Sequence, residues 1–152
     1  MIDFYYCEEC EAFLFIRPVK TETGSYRDVS HPSSVENISR FMSGKDKFPI
    51  CCGKEMTKLE PNTEETSGEK HIPVVKIDGK KIFIKVGSEP HPMTDQHHIV
   101  LIILETKKTY YEVNPYNQQI PTEVTFEIKE DDEPLAVYAI CNIHGLWKVD
   151  LN

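Results

Sequence analysis

The sequence predicts an all-β protein: an immunoglobulin-like seven-stranded β-sandwich over residues 61–152, preceded by a small cysteine-stapled module over residues 1–60. Three observations predict it. From residue 71 onward, seven short segments rich in β-branched and aromatic residues follow one another, with turn residues between them. Four of the five cysteines fall into two tight pairs within the first third of the chain. The length of 152 residues, about 39% of them apolar, suits one compact domain plus a module too small to build a core of its own.

The module begins with Cys7 and Cys10, a CxxC pair, and closes with the contiguous Cys51 and Cys52, followed by Gly53. A CxxC turn presents two sulfurs to one ion, and a second short element completes a tetrahedral S4 shell for zinc or a single iron. A zinc ribbon is the competing reading, but ribbons use two CxxC knuckles. Here the side chains of Cys51 and Cys52 must diverge to reach one metal. Forty residues separate the pairs, and the stretch at about 17–48 reads as a surface insertion rich in Ser, Gly, Pro and charge. Within it SSVENISRFM offers a short helix, N-capped by Ser33 or Ser34, with Val35, Ile38, Phe41 and Met42 on one face. His31, next to Pro32, reads as a solvated loop residue.

The strands follow in order. IPVVKI and KKIFIKV flank Asp78-Gly79, a dipeptide that supplies the positive φ angles of a type I′ hairpin turn. HHIVLIILET is nearly continuous in apolar residues, as a central strand packed on both faces would be. TYYEV comes next, then TEVTFEIK, where Val124, Phe126 and Ile128 alternate with polar neighbours. LAVYAIC and LWKVD complete the set.

A net charge of −8 repels nucleic acid and anionic membrane over most of the surface, so neither is an expected partner. The charge is uneven: residues 69–85 carry Lys70, Lys76, Lys80, Lys81 and Lys85 against Glu69 and Asp78, enough to draw in a small anion. No run of 18 apolar residues exists, and MIDFYYCEEC has neither a basic nor an apolar leader region, so a cytoplasmic protein with reduced thiols is expected. Paired thiols then speak for metal before disulfide.

Five of the six histidines and the remaining cysteine fall on the β-rich part: His71, His91, His97, His98, and Cys141 with His144 in CNIH. Singly, each imidazole could be an ordinary core or surface residue. Together, four imidazoles and a thiolate exceed the four ligands of tetrahedral zinc and suit iron, with one position left open for chemistry.

GEKHIPVV (68–75), VGSEPHPMTDQHHI (86–99) and AICNIHGLWK (139–148), in this order, closely resemble the superoxide reductases, and CxxC followed by CCGKEM (51–56) resembles the desulforedoxin module of their two-iron members, the desulfoferrodoxins. The resemblance implies that His71, His91, His97 and His144 are equatorial nitrogens of a square-pyramidal non-haem iron and Cys141 its axial thiolate. By the same resemblance Cys7, Cys10, Cys51 and Cys52 hold a second iron, or zinc, in the desulforedoxin-like module. Glu69 matches the carboxylate that can take the sixth position in the resting ferric state, and Lys70 the cation beside the open site. The implied activity is one-electron reduction of superoxide to hydrogen peroxide, with a rubredoxin-like protein as electron donor and a homodimer as the assembly. Departures from the pattern are the long spacing between the cysteine pairs, Glu11 where a glycine follows the second cysteine, His98 for a tyrosine and Leu101 for a tryptophan. The competing functions are a rubredoxin-like electron-transfer or metal-binding protein without superoxide reductase activity, and a zinc-stabilised interaction module.

Overall fold

The computed structural model describes residues 1–17, 28–30, 49–63 and 71–152. Glu69, Lys70, His31 and the segment SSVENISRFM lie outside the described residues. Two compact units are present, Met1–Glu60 and Pro61–Asn152.

In the first unit, β1 (Asp3–Tyr6) pairs antiparallel with β2 (Phe13–Arg17) on one side and β6 (Thr57–Leu59) on the other. A third strand, β3 (Asp28–Ser30), continues the sheet along the free side of β2, so part of the stretch read as an insertion extends the sheet. Period-2 alternation sends Tyr5, Leu14 and Ile16 to one face, where they form a small core with Cys7, Ala12, Cys51 and Met56. Phe4 and Phe15, a directly opposed pair on the other face, have ring centroids 5.9 Å apart.

The contiguous cysteines lie in a hairpin. β4 (Ile50–Cys51) and β5 (Lys54–Glu55) close on the pair Cys51↔Lys54, leaving Cys52-Gly53 as a two-residue loop with φ of 51° and 75°. Two positive φ angles are the signature of a type I′ turn. The left-handed backbone at Cys52 is what turns its side chain toward the same point as that of Cys51. Glu11 is also left-handed, at φ 59°, which explains why a glycine suits this position. Glu11→Gly is therefore expected to stabilise the unit by about 1 kcal/mol. Denaturant unfolding of the metal-loaded protein checks this; an unchanged or lowered midpoint would contradict it.

The second unit contains seven strands among the described residues, in two sheets. One has the order β10 (Tyr110–Val113), β9 (Ile99–Thr106), β12 (Pro134–Cys141), β13 (Gly145–Asp150); the other β11 (Glu123–Glu127), β8 (Lys81–Val86), β7 (Pro73–Asp78). All pairings among these seven strands are antiparallel, as in an immunoglobulin-like sandwich. β9 is central, and its near-continuous apolar sequence corresponds to burial along most of its length. Ile82, Ile84 and Val86 from one sheet meet Ile102, Leu104, Val137 and Ala139 from the other, with Cys141 in the same cluster. The alternation along β12 thus delivers the Cys141 sulfur to the inter-sheet face.

The β7–β8 turn differs from expectation. The closing pair is Asp78↔Lys81, so the loop is Gly79-Lys80, and only Gly79 (φ 59°) has a positive φ. That sign pattern is a type II′ turn, which needs glycine at its first position and nothing special at its second. One helical turn, α1 (Pro115–Gln118), was not foreshadowed; the Asn114 side chain caps it by accepting from the Asn117 N–H at 3.0 Å, and proline stands at the first position.

Asp132, 1% exposed, fastens the β11–β12 connection to the β9–β10 turn. Its carboxylate accepts from the Thr106 hydroxyl at 2.7 Å, the Glu133 amide at 2.9 Å and the Lys108 amide at 3.1 Å. Burial alone raises its pKa, but these hydrogen bonds outweigh burial and hold it below the usual carboxylate value. A pKa lowered by folding contributes stability that is present above about pH 4 and is lost as pH falls through the folded pKa. Asp132→Ala should cost about 2–3 kcal/mol at neutral pH. Its deficit relative to the parent should shrink on acidification below about pH 4; a deficit independent of pH would contradict the assignment.

Candidate metal centres

Cys7, Cys10, Cys51 and Cys52 come together with all four sulfurs within 4.8 Å of one another. The Cys10–Cys51 and Cys51–Cys52 separations are 3.5 Å and 3.9 Å. A tetrahedral ion with metal–sulfur bonds of about 2.3 Å requires sulfur–sulfur edges of about 3.8 Å, so the donor set fits a four-thiolate metal. The knuckle carrying the first pair is closed by the Cys7 N–H donating to the Ala12 carbonyl at 2.9 Å. Without an ion the sulfurs hold protons unevenly. The Cys10 backbone amide lowers the Cys7 thiol to about 7, whereas burial, with hydrogen bonding to Cys10, pushes the Cys51 thiol up. Four thiolates this close repel one another, and a bound cation reverses that balance.

At one end of the sandwich, His71, His91, His97 and Cys141 place their donor atoms within 4.8 Å of one another. His71 sits just before β7, His91 and His97 lie on the β8–β9 loop, and Cys141 ends β12. His144 adjoins this group from the β12–β13 turn: its ring centroid is 4.6 Å from that of His71 and 5.1 Å from that of His97, and its Nδ1 is 3.6 Å from the Cys141 sulfur. His71 Nδ1 and Nε2, His91 Nε2 and His97 Nε2 are all buried at this cluster. Three imidazoles and a thiolate converging at metal-ligand separations fit a transition metal.

The β9–β12 ladder shifts register between Ile140 and Cys141, which pair with Leu101 and Ile99. The extra residue in β9 is a bulge, and it sets the direction of the last residue of β12. His91 Nδ1 lies 2.7 Å from the Pro92 carbonyl, which can only accept, so Nδ1 carries the proton and Nε2 presents its lone pair to the cluster.

His98 belongs to a different arrangement. Its Nδ1 donates to the Thr94 carbonyl at 2.9 Å, and its ring stacks on Tyr116 at 3.8 Å, while the Tyr116 hydroxyl donates to Asp95 at 2.7 Å. It braces the loop that carries His91 and His97. The sequence patterns do not single out Trp147, yet its ring stacks on His71 with centroids 4.8 Å apart and its Nε1–H donates to the His144 carbonyl at 3.1 Å. Its place in the motif AICNIHGLWK (139–148), as the third residue of β13, is the signal for it in the sequence.

The family model for Desulfoferrodoxin matches residues 63–150. The chain is 37% identical over 111 residues to a desulfoferrodoxin of Syntrophotalea carbinolica, covering 73% of this chain and 86% of the relative. It is 36% identical over 116 residues to a superoxide reductase of Pyrococcus abyssi, covering 61% of this chain and 95% of the relative. The crystal structure of the superoxide reductase from Treponema pallidum superposes with a TM-score of 0.67 at 26% identity, covering 99% of this chain and 98% of that one. With a His/Cys cluster at one end of a seven-stranded sandwich and a four-cysteine cluster ahead of it, the chain belongs to the desulfoferrodoxin family.

Proposed function

We propose that this chain is a superoxide reductase, which converts superoxide, one electron and two protons into hydrogen peroxide. The observation that carries the reading is the convergence of His71, His91, His97 and Cys141 at the sandwich end, with His144 alongside. Iron held by these residues would supply the electron, with the Cys141 thiolate as a strong electron donor to it. Around it the chain fixes imidazole orientation: the Pro92 carbonyl sets the His91 tautomer, and Trp147 stacks on His71.

Lys70 is assigned the attraction of the superoxide anion and the positioning of a proton-donating water, and Glu69 the occupation of the open position after turnover. Both assignments rest on the EKH sequence, Glu69-Lys70-His71. The four-cysteine site would hold iron or zinc, electrons would come from a rubredoxin-like donor, and the protein would act as a cytoplasmic homodimer. No helix among the described residues is long and apolar enough to cross a membrane.

Product accounting tests the reading. Reduced, iron-loaded protein given superoxide should yield one hydrogen peroxide per superoxide consumed and no dioxygen. Peroxide at half that yield with dioxygen evolved would mean dismutation and would overturn it. Lys70→Ala should slow the reaction about 10-fold or more and flatten its dependence on ionic strength. An unchanged rate and salt slope would remove Lys70 from the mechanism.

A further inference from the structure

We infer that Asn142 is a positioning residue that ties the loop carrying His91 and His97 to the turn carrying Cys141 and His144. The inference rests on the metal-site reading above. The Asn142 side chain uses both ends of its carboxamide: Oδ1 accepts from the His98 N–H at 2.9 Å, and Nδ2 donates to the Gln96 carbonyl at 2.9 Å. Because one partner can only donate and the other only accept, the orientation of the amide is fixed by chemistry. The Asn142 N–H also donates to the His98 carbonyl at 3.1 Å, carrying the β9–β12 ladder one step beyond the bulge at Cys141.

The carboxamide therefore grips the main chain on both sides of His97, at Gln96 and at His98, from a position directly after Cys141. The loop has other fastenings. The Thr94 hydroxyl accepts from the His97 N–H at 3.1 Å, the Thr94 N–H donates to the His97 carbonyl at 2.9 Å, and His98 Nδ1 donates to the Thr94 carbonyl. Those bonds shape the loop internally, and Tyr116 joins it to α1. Asn142 joins it to the thiolate turn. His97 comes from the β8–β9 loop and Cys141 from the end of β12, so the relative position of imidazole and sulfur depends on what couples that loop to the strand end. A dual hydrogen bond from a short, stiff side chain does this with little freedom left over. Aspartate in its place would keep the acceptor for His98 but set an oxygen against the Gln96 carbonyl.

The test uses the full-length chain and ferrous iron in competition with a chelator, read by the sulfur-to-iron absorption of the sandwich site after oxidation, together with hydrogen exchange at the His98 amide in the metal-free protein. Parent protein that takes up no iron at this site would overturn the metal-site reading itself. With the parent loaded, Asn142→Ala is expected to weaken iron binding there about 10 to 100-fold, the range seen when groups that orient ligands are removed. His98 exchange should accelerate, and metal in the four-cysteine site should be retained. An affinity within twofold of the parent, or His98 exchange as slow as before, would overturn the positioning role. Should the alanine variant lose its fold, Asn142→Asp decides by the same criteria: weakened binding supports the role and parental binding overturns it.

Discussion

Replacing Cys141 by serine should remove the sulfur-to-iron absorption of the oxidised protein and slow its reaction with superoxide by at least about 100-fold, because even groups one step removed from a metal cost 10 to 100-fold when lost. The sulfur is fully buried at the end of β12, within the inter-sheet cluster that includes Ile99, Val137 and Ala139. Serine fits the space, so the sandwich should survive. Its hydroxyl is a weak metal ligand at neutral pH and a polar group in an apolar setting, with a cost of about 1–3 kcal/mol where it finds no partner. Two consequences are separable: a modest fall in unfolding midpoint, and a loss of reactivity far larger than that fall explains. Near-parental superoxide kinetics in Cys141→Ser would contradict the assignment of the thiolate.

Cys51→Ala should have the larger structural effect. On one face of the first unit's sheet a buried cluster of Tyr5, Cys7, Ala12, Leu14, Ile16, Cys51 and Met56 includes two metal-site sulfurs, while Ile2, Phe4 and Phe15 are buried elsewhere in the unit. A unit of about 60 residues is marginal on its apolar core alone, whereas a structural metal contributes on the order of 10 kcal/mol. Losing Cys51 removes one ligand and one core side chain together. The full-length variant should lose the metal of the first site and become sensitive to proteolysis within residues 1–60, while the His/Cys site still loads. A variant that keeps its first metal and resists protease as the parent does would show that the unit does not depend on the four-sulfur site.

The sandwich was legible because its physics is local. Alternation in TEVTFEIK, the apolar run of HHIVLIILET and β-branched residues at regular spacing each describe a strand packed on one or both faces, and all seven segments form strands. The first unit was read only through its cysteines. DFYY and FLFIR are too short and too uniformly apolar to show a period, and β3 emerged from a stretch dominated by turn formers. The difficulty posed by adjacent cysteines disappears once Cys52 is seen at a positive φ, a backbone property that its residue type does not advertise. Asp78-Gly79 suggested the hairpin correctly but placed its turn one residue early, since register is decided by pairing along the whole of β7 and β8.

The cluster of His71, His91, His97 and Cys141 was legible as chemistry, since few patterns other than metal binding collect imidazoles and a thiolate near strand ends. What holds it was not. Asn142, Tyr116 and Trp147 act through contacts to main-chain atoms and ring faces, and no residue type implies those until the loops are placed.

The measurement that bears most directly on the central claim is anaerobic rapid mixing of the reduced, iron-loaded parent protein with a pulse of superoxide, followed by visible absorbance. The structure and its chemistry predict second-order loss of superoxide at a rate proportional to protein, with the sulfur-to-iron band of the oxidised His/Cys site appearing in step. Reduced iron that stays loaded in that site and does not react would contradict the claim, leaving a protein that holds the metal without using it on superoxide.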